Sequence, residues 1–157
     1  MKTLFAIFLT VLLPAAIAQA QPTANFITGA LLQETWLNIS GHNVADLTNS
    51  PSFRKPPNRV SLVSQFEIPS DATVNYGVRL SGYLHVPVSG SYVFYISSNE
   101  QGGLFLSSDD NPENKRRIAF EPLNQNATRA WTGTADGRRN ADNPENISEP
   151  ISLLAGR

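Results

Sequence analysis

The residues with the clearest chemical potential are acidic. Glu100, Asp109 and Asp110 fall within eleven positions, with Asn99 and Asn111 beside them. Oxygen donors gathered this way suit a hard cation such as calcium, which takes several carboxylate and carbonyl ligands, and the spacing is not that of an EF-hand. A pair of carboxylates is also the minimum for glycoside hydrolysis. Near-neutral acid/base or metal chemistry would have to come from His42 or His85. His85 falls on the polar side of an alternating segment and His42 follows Gly41, so both read as surface residues. No His-Glu-x-x-His pair, nucleophile elbow or phosphate-cradling glycine loop occurs. The expectation is therefore a non-enzymatic protein. Aromatic rings can stack on the apolar face of a sugar. Trp36 reads as core, whereas Trp131 stands among polar residues and is the better candidate for an exposed ring.

Composition narrows the classes further. The 157 residues are 41% hydrophobic and only 16% charged, with a formal net charge of −1. Such a chain is too apolar for disorder, and it lacks the basic excess of a nucleic-acid binder. With no cysteine, disulfides, thiolate metal sites and thiol nucleophiles are excluded. Met1-Lys2-Thr3 followed by the apolar run Leu4–Ala18 and Ala18-Gln19-Ala20 reads as a secretory signal cut after Ala20. The expected location is extracellular or periplasmic, with no stable membrane insertion after cleavage. Residues 1–20 are assigned to the signal and 25–157 to one domain.

The elements that must position these residues are strands. Even positions from Val78 to Val88 are apolar or glycine and odd ones are mostly polar, the period-two pattern of a strand with one wet face. Tyr92–Ile96 is apolar on both faces and predicts a central strand. Leu104–Leu106 returns after Asn99–Gly103, so three strands joined by short turns predict an antiparallel meander with the acidic residues near one end. Arg117–Phe120 and Ile151–Leu154 are further short strands, and Pro122–Glu149 reads as loop. The one helical segment is Val44–Leu47 behind Asn43 as N-cap; Pro51, Pro56 and Pro57 prevent a long continuation. Asp110-Asn111-Pro112-Glu113-Asn114 recurs as Asp142-Asn143-Pro144-Glu145-Asn146, which predicts two similar turns. Lys115-Arg116-Arg117 and Arg138-Arg139 read as charged strand edges that resist aggregation. Asn38-Ile39-Ser40, Asn126-Ala127-Thr128 and Asn146-Ile147-Ser148 match the N-glycosylation pattern. The strand at Ile151–Leu154 has no returning partner in the sequence, so the chain reads as cut short.

Several of these segments, in order, resemble the PA-14 (protective-antigen-type) domain. They are Glu34–Gly41 with Val44–Leu47, Tyr76–Leu84, Ser89–Ile96, Leu104–Ser107 and Asn111–Lys115. The resemblance runs from about Gly29 to Arg157. It implies an all-β fold, an antiparallel sandwich or barrel-like arrangement with one short helix. It further implies a non-catalytic, often carbohydrate-binding module accessory to a larger secreted or surface protein, and a pair of closing strands beyond Arg157. In the sugar-binding branch of that family, two adjacent aspartates hold a calcium ion that in turn holds sugar hydroxyls. Here the matching positions are Asn99 and Glu100. One carboxylate in place of two predicts weak calcium binding there. The ligand-binding candidates are thus Asn99, Glu100, Asp109, Asp110 and Trp131, with glycan as the expected partner and calcium as the possible cofactor. The other reading is a protein-interaction or pro-domain module with no sugar site.

Overall fold

A computed structural model describes residues 28–68, 74–122, 129–132 and 144–156. The signal segment, Asn126 and the Arg138-Arg139 pair lie outside the described residues. The fold is mostly strands in antiparallel sheets. In chain order the elements are β1 (Leu31–Leu37), α1 (Val44–Thr48), β2 (Arg59–Val63), β3 (Tyr76–Ser81), β4 (Gly90–Tyr92), β5 (Gly102–Ser107), a 3-10 turn (Pro112–Asn114), β6 (Lys115–Glu121) and β7 (Ile151–Leu153). β1 is the middle strand of a three-stranded sheet in the order β2-β1-β3. β4 pairs with β7, and β5 with β6.

The β2-β1-β3 sheet is held by what its middle strand carries. Trp36 is 2% exposed. Its ring lies 4.7 Å from that of Phe53, and its Nε1 donates to the Lys55 carbonyl oxygen at 3.2 Å. The proline-rich 51–58 loop therefore lies over one face of the sheet. Cross-strand from Glu34, Arg79 donates to both carboxylate oxygens, at 2.6 and 2.9 Å, and its guanidinium carbon sits 5.5 Å above the Trp36 ring. This hydrogen-bonded pairing pushes the Arg79 pKa further up.

The topology differs from the expected meander. β3 pairs with β1 rather than with the strand after it, with Leu37 opposite Tyr76 and Leu32 opposite Ser81, and the Ile39 N–H donating to the Asn75 carbonyl oxygen carries the pairing past the strand ends. The Val78–Val88 alternation also overstates the strand, which begins at Tyr76 and leaves the sheet at Ser81. At the next position Leu31 folds its side chain into the space a Cβ on Gly82 would take, 2.5 Å from Leu31 Cδ2. Beyond it Val86 is buried, whereas Leu84 and Val88 are exposed.

Tyr92–Ile96 is not a central strand. The regular strand β4 ends at this segment's first residue, Tyr92, and pairs on one side with β7, and Val93 and Tyr95 are exposed. Its continuation pairs loosely with residues 146–148, which the sequence reads as loop. Ser148 donates its N–H to the Phe94 carbonyl oxygen, Ile96 donates to that of Asn146, and Tyr95 bridges Ile147. The expected strands Arg117–Phe120 and Ile151–Leu154 are present as β6 and β7, the former longer at both ends. The helix is also present, one residue longer than expected and behind Asn43.

Among the described residues the buried set is nearly as polar as it is apolar: Trp36, Ile39, Val86, Ala119 and Pro144 stand beside Thr35, Glu121, Asn146 and Ser148. Buried polar groups must find partners, so hydrogen-bond geometry carries much of the specificity of this fold.

Candidate functional site

The site is built where the loop before α1 meets the turn before β5. Gln101 donates its N–H to the His42 carbonyl oxygen at 3.1 Å, and its side-chain Oε1 accepts from the Val44 N–H at 2.8 Å. His42 Nδ1 lies 3.1 Å from Glu100 Oε1. The loop itself is organised by Asp46, whose Oδ2 accepts from the His42 N–H, the Asn43 N–H and the Asn43 Nδ2 at 2.8–3.0 Å. Gly41 is required here: its φ is +108° and a Cβ on it would fall 2.2 Å from Asp46 Oδ2.

These donors, the Asn43 N–H foremost, hold the Asp46 carboxyl below its ordinary pKa of 3.8. A depressed folded pKa contributes stability that is present above the ordinary value and is lost as pH falls through the folded one. Asp46→Asn should therefore melt below the unmodified chain at pH 7. The gap should close as pH drops below about 4, as followed by circular dichroism melts across pH.

Between α1 and the β5–β6 sheet lies an open cleft of about 250 Å³, lined by Val44, Ala45, Thr48, Gln101, Gly103, Phe105, Arg117 and Phe120. A β-bulge makes this lining possible. Gly103 opposes Phe120, Leu104 opposes Ala119, and Phe105 opposes Arg117, so Ile118 is an extra residue in β6. Without it Arg117 and Phe120 would point to opposite faces; with it they share the face of Gly103 and Phe105. The Arg117 guanidinium carbon then sits 4.4 Å from the centre of the Phe120 ring. Gly103 carries no side chain where the Phe105 ring lies back, with Phe105 Cε2 only 2.9 Å from an added Cβ. Phe105 remains 48% exposed, presenting ring surface to solvent.

The five candidate residues are not brought together. Asn99 and Glu100 precede β5, and Asp109 and Asp110 follow it. The six-residue strand between them spans roughly 20 Å. The expectation that they share one end of a meander is thereby corrected: they stand at opposite ends of one strand. Asp109 is taken up by its own loop. It accepts from the Asn111 N–H at 2.9 Å and from Asn114 Nδ2 at 2.7 Å, which lowers its pKa. Asp110 is exposed. Trp131 is 44% exposed on a separate segment and does not line the cleft. Its carbonyl oxygen is tied through Asn146 Nδ2 to that of Ile96.

The donor set at Asn99-Glu100 does not fit a calcium ion. It offers one carboxylate, which already faces His42, and the Asp109-Asp110 loop lies too far along β5 to add oxygens. Among the described residues no group of three or more His, Asp or Glu is placed to hold a metal.

Sequence reasoning missed the cleft. Lys115-Arg116-Arg117 reads as a charged edge, and nothing local marks Ile118 as a bulge. The two described glycosylation sequons also separate. Asn38 is exposed, while Asn146 is fully buried, so of these two only Asn38 can be reached in the folded chain.

The family model for the PA14 domain matches residues 34–157. No curated protein and no solved structure matches the chain.

Proposed function

The chain belongs to the PA14 domain family, and from that membership we propose that it is an exported, non-catalytic carbohydrate-binding module accessory to a larger secreted or surface protein. PA14 domains are commonly carbohydrate-binding or accessory modules, occur in extracellular proteins and are typically non-catalytic. The observation that carries the reading is the open cleft beside the 99–101 turn, which the exposed Phe105 lines together with Gln101 and Thr48. An apolar ring flanked by a few polar groups is what a pyranose needs: its carbon face stacks and its hydroxyls bond at the rim. The apolar Leu4–Ala18 segment supports export, and no helix among the described residues is long and apolar enough to cross a membrane.

A glycan array tests this reading. The unmodified chain should retain at least one glycan class, and Phe105→Ala should weaken that binding by about tenfold or more with little change in melting temperature. A chain that retains no glycan would sink the proposal.

A second reading, a protein-interaction module, is favoured by β2. Val60 and Leu62 on this edge strand are about 60% exposed and stand on the same face.

A further inference from the structure

The cleft's lining has a charge asymmetry. Of its eight residues only Arg117 is charged, and none is acidic. Among the described residues Arg117 forms no ion pair; the three that exist are His42 with Glu100, Arg79 with Glu34 and Arg129 with Glu67. The guanidinium carbon lies instead 4.4 Å from the centre of the Phe120 ring, a contact that uses none of its N–H donors. A guanidinium so placed matches a carboxylate, which it can meet with two parallel hydrogen bonds. The acids next to lining residues in sequence are turned elsewhere: Glu100 faces His42 at 3.1 Å, Asp46 accepts from the His42 and Asn43 N–H groups, and Glu121 is fully buried. Gln101 spends its Oε1 on the Val44 N–H, so its amide NH2 is the part left to donate. Every polar group identified on this lining can thus donate: Arg117, the Gln101 amide and the Thr48 hydroxyl.

Resting on the carbohydrate-binding reading, we propose that this cleft selects a sugar bearing a carboxylate, a uronic acid or similar acidic monosaccharide unit. The sugar's carbon face lies on Phe105, its carboxylate meets Arg117, and Thr48 and Gln101 bond ring hydroxyls. The uncharged counterpart of the same sugar would leave the Arg117 N–H groups to water, so the cleft discriminates on charge rather than on ring shape.

The test is calorimetric titration with galacturonate oligomers and with galactose oligomers of the same linkage and length, at low and high salt. The expected result is a preference for the acidic series of about tenfold or more at low salt, reduced at high salt. Arg117→Gln should abolish that preference, bringing the affinities for the two series together. Arg117 is exposed, and an unchanged melting curve checks that the variant is folded. Equal affinity for the two series overturns this inference and leaves the carbohydrate-binding reading standing. An acidic preference that survives Arg117→Gln also overturns it, because the selecting cation then lies elsewhere. Binding of neither series, together with a blank glycan array, overturns both.

Discussion

Trp36→Ala is expected to destabilise the fold by about 3–5 kcal/mol, the range for truncating a large buried aromatic. The ring is 2% exposed and is enclosed by Phe53 on one side and the Arg79 guanidinium on another. Its removal leaves a cavity that the surrounding sheet cannot collapse into, since β1 is bonded on both edges. It also strands the Lys55 carbonyl oxygen, which loses the indole N–H. The Phe53–Lys55 part of the 51–58 loop should loosen with it, because it meets the sheet through this ring, while Asn58 stays bonded to Thr35 and Leu37. Urea unfolding would give the cost, and hydrogen exchange at residues 51–58 would show the loosening. Trp131→Ala provides the contrast: a half-exposed ring outside the core should change stability by less than about 1 kcal/mol. Equal costs at the two tryptophans would contradict this core assignment.

Asn146→Asp should be comparably severe, at roughly 3 kcal/mol or more. Asn146 is fully buried, and its Nδ2 donates to the Ile96 and Trp131 carbonyl oxygens at 2.9 and 3.0 Å. Its own carbonyl oxygen accepts from Ile96 N–H at 2.9 Å. This one residue joins three backbone segments. Aspartate removes both side-chain donors and turns a carboxylate toward two carbonyl oxygens in a buried place. The carboxyl of the variant would therefore be pushed up in pKa, and the penalty should grow as pH rises through the carboxylate range. Asn146→Ala should cost less than the aspartate at pH 7, because it deletes the donors without burying a charge. It also removes Oδ1, which is buried without a partner. Thermal melts of both variants between pH 4 and 7 would check the order. An aspartate variant as stable as the unmodified chain would show that the two side-chain bonds are not required.

Local patterns were sufficient for the strand-rich class and for several elements. The Asn43 cap followed by Val44–Leu47 marks the helix because an N-cap and proline punctuation act within a few residues. Trp131 could be read as exposed from its polar neighbours, and Trp36 as core from its place in the opening strand that resembles the family's. Which strand lies beside which could not be read this way. β4 finds its partner in β7, some sixty residues on, because of the Tyr92–Ile151 register, and no local signal specifies that pairing. The cleft was equally hidden. It depends on one extra residue at Ile118, which rotates Arg117 and Phe120 onto the same face, and on a loop 57 residues away in sequence that clasps Gln101.

The repeated pentapeptide separates the two kinds of information most sharply. The sequence by itself determined that Asp-Asn-Pro-Glu-Asn would turn wherever it occurs, since Asn-Pro restricts the backbone locally. Both described portions do turn: Asn114 donates its N–H to the Asn111 carbonyl oxygen, and Ile147 donates to that of Pro144. Only the tertiary structure decided what the final asparagine of each copy does. Asn114 stays in water and braces Asp109 within its own loop, whereas Asn146 is buried and ties Ile96 to the Trp131 segment. Turn geometry is set by dihedral preferences within a few residues. Burial is set by which distant strands supply unpaired carbonyl oxygens beside the turn, and that choice belongs to the packed chain.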